Sequence, residues 1–405
     1  MLNFLAYYLH DFDPIIFSLG PIKARWYGFA YLLGFLAAYM LIRKLARVGM
    51  LRLPLERVSD LVLNCCIFGV LLGGRFGYVL FYDLPNKLRF HETPLLWDFS
   101  SSLPFWGVLR VTEGGMSAHG GVIFTILTLI WFARKYRSRG ASLVNIGDAA
   151  CMVVPIGLCF GRIANFINGE LYGHITRVPW AVKFPSELYS PTNGANEIAE
   201  PQVAQMQSAV GHYLGEHWQN LTTQQLQDFL ANHPTISHNL TEQFGHLTLK
   251  NAQQLDAVKQ WLGTELCLNP NQIFSSDIAR WWEHSSGAFH DLLRTQFDLI
   301  LHPRHPSQLY EALLEGILLF LIVWLIGWFW RKEGMAGGAF LTFYPVMRII
   351  GEQFRVGDST GIIANIPISL GVAYSIPMMI LGLTYWAYWI RRNRKTVWVP
   401  PPASS

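Results

Sequence analysis

Charge is scarce in this sequence. Only 14% of its 405 residues are Asp, Glu, Lys or Arg, whereas soluble domains carry about 25%. Much of the surface must therefore face something other than water. Cysteine is scarce too: Cys65, Cys66, Cys151, Cys159 and Cys267 are the five. Four lie in apolar runs, and the spacings match no zinc or redox motif, so they read as small buried hydrophobes. No basic-aromatic run suits nucleic acid, and no internal repeat is visible. The first residues include His10, Asp11 and Asp13 but no basic stretch, so no cleavable signal peptide is expected.

What is abundant is apolar. Hydrophobic residues make up 51% of the chain, with Trp 15, Tyr 16 and Phe 26, and aromatic rings gather at membrane interfaces. A spanning helix needs about 20 largely apolar residues. Seven segments fit: Trp26 to Ile42, Leu61 to Tyr82, Gly114 to Ala133, Leu143 to Phe166, Leu309 to Trp330, Gly334 to Phe354, and Ser359 to Ile390. The last is longer than needed, so part of it is expected to be loop. The fold class is thus an all-α integral membrane protein with seven transmembrane helices.

Basic clusters follow the first, third, fifth and seventh segments: Arg43, Lys44, Arg47, Arg52 and Arg57; Arg134, Lys135, Arg137 and Arg139; Arg331 and Lys332; Arg391, Arg392, Arg394 and Lys395. They fall on every second connection, hence on one side, which the positive-inside rule assigns to the cytoplasm. The N-terminus is then outside and the C-terminus cytoplasmic. Between the fourth and fifth helices lies a polar external segment, about 190–300, flanked by core portions 1–189 and 301–405. From Glu187 to Leu301 there are four Lys/Arg and twelve Asp/Glu, a net −8, so the remainder carries +12. That basic remainder suits anionic membrane lipids. The acidic segment has Trp218, Trp261, Trp281 and Trp282 to bury, and patterns such as Gln224 to Leu230 read as amphipathic helices. Its histidines, His212, His217, His233, His238, His246, His284 and His290, read as surface residues rather than metal ligands.

Intramembrane charges are costly, about 3 kcal/mol each on insertion scales, and usually face a cavity. On this topology Arg75, His119, Arg162, Glu311, Arg348 and Glu352 fall in the outer half of the membrane, and Arg355 follows. Only Asp148 lies towards the cytoplasm, where packing explains it. Six or seven polar groups on five helices at one depth outweigh simple snorkelling. Arginines outnumber acids there, so the expectation is a net-positive cavity for an anionic headgroup. The planar arginine fork is the better phosphate clamp.

These residues also carry a resemblance. Gly161 to Gly173 reads GRIANFINGELYG. WYG stands at Trp26 to Gly28, LLGGRFGYVLFY at Leu71 to Tyr82, GGMSAHGG at Gly114 to Gly121, and RHPSQLYEALLEG at Arg304 to Gly316. Phe354 to Asp358 follows Glu352 as FRVGD. Together these motifs resemble the prolipoprotein diacylglyceryl transferase family. Ala164 stands where glycine is commoner, and the acidic segment is much longer than the usual external connection.

The resemblance implies an enzyme of the bacterial inner membrane with its active site towards the outer leaflet. It implies transfer of the sn-1,2-diacylglyceryl group from phosphatidylglycerol to the lipobox cysteine of a prolipoprotein, releasing glycerol-1-phosphate. Neither cofactor nor metal is implied. Arg162 and Arg348 are the leading phosphate ligands, with Arg75 and Arg355 in support. His119 is the candidate base for the incoming thiol, since its ordinary pKa lies near neutrality; an interhelical hydrogen bond is its structural alternative. Tyr27, Tyr344, Asn165, Asn168 and Glu170 are candidates for binding the headgroup; Asn165 and Glu170, just past the fourth helix, could equally orient Arg162. Glu311 and Glu352 read as arginine partners, Glu352 being four residues after Arg348. The competing class is a transporter or channel for an anionic solute, which would carry polar groups through to the cytoplasmic side.

Overall fold

The computed structural model describes residues 7–19, 22–99, 105–110, 115–139, 142–189, 198, 200–217, 222–245, 255–262, 273, 277–278, 281–282, 285–356, 360–363 and 366–392. Gly114, Cys267, Trp218, His246, His284, Gly357, Asp358, Arg394 and Lys395 lie outside the described residues.

Three short strands come first: β1 (Tyr8–Leu9), β2 (Ile15–Leu19) and β3 (Ile22–Arg25). Helix α1 (Trp26–Arg47) is uncharged until Arg43 and ends on Lys44 and Arg47, cations that suit the negative end of a helix dipole. Helix α2 (Leu55–Arg89) is continuous, with π-helical stretches at Cys65–Leu72 and Val79–Asp83. Helix α3 (Ala118–Lys135) starts at Ser117, whose hydroxyl accepts from the Gly120 N–H at 3.2 Å. Helix α4 (Leu143–Ile167) continues through Pro155. After β4 (Val182–Lys183) come α5 (Glu200–Glu216), α6 (Thr223–Asn232), α7 (Pro234–Phe244) and α8 (Ala288–Ile300). Then come α9 (Ser307–Trp330), π-helical over Ala312–Leu318, and α10 (Met335–Glu352). Strands β5 (Thr360–Ile363) and β6 (Ile366–Ser369) precede α11 (Leu370–Arg392).

Among the described residues five helices are long and apolar enough to cross a membrane: α1, α2, α4, α9 and α11. The chain is a multi-pass membrane protein. Helices α3 and α10, 18 residues each, match the third and sixth segments read from the sequence but are not among those five. The seventh segment begins as the antiparallel β5–β6 hairpin, with Thr360 opposite Ser369, and becomes helix at Leu370.

The chain divides into two compact units. One comprises Met1–Tyr27, Ile163–Tyr310 and Gly351–Gly371. Its core gathers Met206, Val210 and Leu214 of α5, Leu226 and Phe229 of α6, Ile236 and Leu240 of α7, and Trp281 and Trp282. Helix α8 adds Phe289, Leu293, Phe297 and Ile300, one face of a 3.6-residue repeat. The expected amphipathic helix at Gln224 to Leu230 is α6, opened by a capping box between Thr222 and Gln225. Leu9, Leu188 and Leu301 belong to the same core. Strand β1 pairs in parallel with β4.

The other unit comprises Gly28–Arg162, Glu311–Ile350 and Val372–Ser405. Its core includes Ile42 and Leu45 of α1, Phe132 of α3, Ile146 and Met152 of α4, Leu319 and Val323 of α9, and Ala339 of α10. Helices α2 and α3 touch through glycine. A Cβ on Gly77 would lie 2.4 Å from the Gly120 Cα, and one on Gly120 would lie 2.3 Å from the Gly73 carbonyl oxygen. Gly120→Ala should therefore push the helices apart and cost about 1–3 kcal/mol, the usual cost of overpacking. A fall in thermal midpoint in detergent checks this; an unchanged midpoint would refute the close approach. At the far end of α4, the Asp148 carboxylate accepts from Gly334 N–H and Gly337 N–H at 2.6 and 2.7 Å. This is the packing role expected for Asp148: it caps the start of α10.

Candidate active site

Helix α4 carries Arg162 one turn before its end, α9 carries Glu311 and Glu315, and α10 carries Arg348. Four charges meet. Arg162 Nη1 is 3.1 Å from Glu311 Oε2, and Arg162 Nη2 donates to Glu315 Oε2 at 3.1 Å. Arg348 Nη1 donates to Glu311 Oε1 at 2.6 Å and to Glu315 Oε1 at 3.3 Å. Each carboxylate thus bridges both arginines. The glutamate side chains are 0% exposed, while those of Arg162 and Arg348 keep 16% and 11%. The arginines are therefore the more exposed members of the cluster. Glu311 and Glu315 sit four residues apart around the start of the π-helical stretch of α9, an irregularity frequent at functional sites. Tyr344, one turn before Arg348, lies within electrostatic reach of all four groups and stacks on Phe340 with centroids 5.5 Å apart.

Within this cluster two cations face two anions, so it is formally neutral. Glu315 is the residue the sequence reading left out of the site. Its signal was present: a second acid four residues after Glu311 in an otherwise apolar helix.

Arg75 is 3% exposed, and its guanidinium donates to three backbone carbonyls: Val108 at 2.8 Å, Gly107 at 3.0 Å and Gly115 at 3.2 Å. It fastens the backbone at Gly107, Val108 and Gly115 to α2. His119 is exposed on the first turn of α3. Its partners among the described residues are Tyr82, whose hydroxyl is 3.5 Å from Nδ1, and the Tyr374 ring, edge-on at 6.2 Å.

A second group of site residues meets within the other unit. The Asn165 amide donates to Glu170 Oε1 at 2.8 Å and to the Tyr27 hydroxyl at 3.4 Å. Asn168 donates to the same Glu170 oxygen at 3.4 Å. Asn165 lies inside the last turn of α4. The segment after it is clamped by residues 304–308. Gln308 donates to the Glu170 carbonyl at 2.7 Å, and Ser307 to the Leu171 carbonyl at 3.0 Å. Gly173 N–H donates to the His305 carbonyl at 2.9 Å, and His174 N–H to the Phe354 carbonyl at 3.0 Å. A Cβ on Gly173 would fall 2.2 Å from that Phe354 oxygen, so only glycine fits. Arg304 is wholly buried; it pairs through Nε with Glu187 at 2.9 Å and donates through Nη1 to the Gly173 carbonyl at 3.2 Å. Burial and the neighbouring His174 hold the His305 pKa below its ordinary value. Glu352 and Arg355 are both buried. Arg355 bridges to Gly173 through its backbone.

The family model for prolipoprotein diacylglyceryl transferase matches residues 14–388. The chain belongs to that family. Three relatives are each named phosphatidylglycerol–prolipoprotein diacylglyceryl transferase. The one from Bdellovibrio bacteriovorus is 33% identical over 387 residues, 95% of this chain and 94% of the relative. That from Proteus mirabilis is 32% identical over 403 residues, 98% of each chain. That from Legionella pneumophila is 29% identical over 383 residues, 94% of this chain and 98% of the relative. Matches so complete on both sides run through the acidic segment, so family members of like length share it. A channel or transporter is not favoured by membership in a transferase family.

Proposed function

We propose that this chain transfers the sn-1,2-diacylglyceryl group from phosphatidylglycerol to the lipobox cysteine of prolipoproteins, the first step of lipoprotein maturation. It does so in the bacterial inner membrane, crossing it seven times with α3 and α10 included, the N-terminus outside, and the active site towards the outer leaflet. The reacting bond is the one between the glycerol sn-3 carbon and the phosphodiester oxygen. The cysteine sulfur attacks that carbon, a thioether forms, and the electron pair leaves with glycerol-1-phosphate.

Negative charge grows on the departing phosphate, and preorganised cations favour that change. The observation that carries the reading is the Arg162–Arg348 pair held by two buried carboxylates. A guanidinium has five N–H donors, so the two contacts of Arg162 leave others for an oxyanion. Glu311 and Glu315 fix both forks before substrate arrives, so little reorganisation is needed at the reacting moment. The Tyr27–Asn165–Asn168–Glu170 network offers hydroxyl and amide groups suited to glycerol hydroxyls.

The thiol must also lose its proton, since the thiolate is the nucleophile. His119 is the proposed base, with the Tyr82 hydroxyl beside it. His119→Gln should slow transfer about 100-fold while leaving the melting temperature in detergent unchanged. A wild-type rate in that variant, or a loss of rate matched by a loss of stability, would leave His119 a structural role.

The direct test uses the purified full-length protein in bicelles with phosphatidylglycerol tritiated in its diacylglyceryl moiety. A lipobox peptide should become labelled, and its Cys→Ser version should not. Absence of label with folded protein, or equal labelling of both peptides, would reject the reading.

A further inference from the structure

The helix ends furthest along α9 from the Arg162–Glu315 cluster carry a feature that the transfer reaction does not use. Phe320, Trp324 and Trp328 follow one another at four-residue spacing on α9. Their rings form a column, with centroids 5.4 Å apart for the first pair and 6.0 Å for the second. Two cations converge on its end. Lys44, in the last turn of α1, places Nζ 5.6 Å from the Trp324 ring and 5.4 Å from the Trp328 ring. Arg331 places its guanidinium carbon 5.1 Å from Trp328.

Arg331 reaches that position from a left-handed backbone, φ 45°, and its Nε donates to the Trp328 carbonyl at 3.2 Å. A bulky residue there is strained. Among the described residues neither Lys44 nor Arg331 makes an ion pair. The nearby acids are engaged elsewhere: Glu333 with Arg52 at 3.2 Å, and Asp148 with the start of α10. Two like charges on one indole, with no carboxylate between them, leave a place for an anion.

The surface leading to it is apolar. Leu36 and Met40 precede Lys44 at four-residue intervals on α1 and are 50% and 56% exposed; Leu321 and Leu325 precede Trp328 on α9 and are 47% and 50% exposed. Glu311 and Trp328 are seventeen residues apart on α9, about 25 Å at 1.5 Å per residue. The two places are therefore distinct.

We propose that Lys44, Arg331, Trp324 and Trp328 bind the phosphate of an anionic phospholipid, with its acyl chains along the exposed stripes of α1 and α9. This site holds a lipid of the leaflet opposite the proposed transfer site. Indole faces favour the cations, and the cations favour a phosphate at headgroup depth. The inference does not depend on the transfer reaction.

The test places the full-length protein in phosphatidylcholine nanodiscs with a trace of phosphatidylglycerol bearing a photoreactive acyl chain, and maps the labelled peptides. Label is expected in peptides covering 36–47 and 318–332. Unlabelled phosphatidylglycerol should compete it away, whereas phosphatidylcholine and inorganic phosphate should not. The Lys44→Gln/Arg331→Gln double variant should lose that label about thirtyfold, and Lys44→Gln alone about fivefold. Lys44→Arg should keep it. Unchanged labelling elsewhere in the same sample shows that the variant is folded. Label indifferent to the double variant, or competed equally by phosphatidylcholine, overturns the site. Competition by inorganic phosphate as strong as by phosphatidylglycerol overturns the lipid assignment, leaving a soluble-phosphate site.

Discussion

Arg162→Ala should reduce transfer to a lipobox peptide about 10²–10³-fold, the loss typical when one donor to a developing oxyanion is removed. The single variant is ambiguous, because it also removes one of the arginine partners of Glu311 and Glu315, both fully buried. An uncompensated buried charge costs about 3–5 kcal/mol, and unfolding would also abolish activity. A charge-balanced variant separates the two effects. Arg162→Ala/Glu315→Gln removes one charge of each sign, so most of the lost thermal stability should return. If Arg162 holds the leaving phosphate, transfer should stay at the level of the single variant. If its role is only to neutralise Glu315, transfer should return with stability, and the phosphate assignment fails. Arg162→Lys should fall between, since lysine keeps the charge but loses the planar fork. The comparison is a double-mutant cycle on two readouts, initial rate and melting temperature.

What was legible in the sequence follows from what a local pattern can encode. Long, largely apolar runs located helices α1, α4 and α9, because a membrane span needs length and apolarity and little else. The same criterion gave a seventh run longer than a span needs, and its excess is the β5–β6 hairpin rather than plain loop. Ile362, Ile363, Ile366 and Ile368 are apolar enough for a span, and a short apolar run does not declare its period. Depth in the membrane brought Arg162, Glu311 and Arg348 to attention, and they do meet. Depth could not show where the donors of Arg75 point. An arginine serving carbonyls at 107, 108 and 115 and one serving a ligand look identical in a helix sequence. Nor could it show that Glu315 joins Glu311, since that depends on helix rotation and on the π-helical stretch between them. Distant pairs without a shared membrane depth were invisible. Arg304 and Glu187 are separated by 117 positions, and Glu187 stands in no recognisable motif.

That last pair carries the second large effect. Arg304→Ala should destabilise the segment joining Tyr172 to Glu187 by about 3–5 kcal/mol. Arg304 is 0% exposed, and so is Glu187. Its Nε and Nη2 reach the two Glu187 oxygens at 2.9 and 2.5 Å, its Nη1 holds the Gly173 carbonyl, and the Tyr172 ring lies 5.0 Å from the guanidinium carbon. The substitution thus strands a buried carboxylate, frees a carbonyl and opens a cavity together. The partner His302, 3.4 Å from Glu187 Oε1, cannot replace a bidentate fork. Glu187→Gln should cost less, because the amide keeps the shape and one acceptor while leaving the guanidinium without its counter-charge. Because Arg304 and Val182 also exchange two backbone hydrogen bonds of 2.9 Å, hydrogen exchange offers a local readout. Amides of Gly173, Val182 and Arg304 should exchange about 100-fold faster in Arg304→Ala, the effect of roughly 3 kcal/mol on local opening, while those of α1 and α3 should not change. Transfer should fall in parallel, since the released strand follows directly on Glu170, which orients Asn165 and Asn168. Wild-type exchange together with full activity would show that the signature segment holds its shape without this pair, and Gly173 and Gln308 would then be its principal supports.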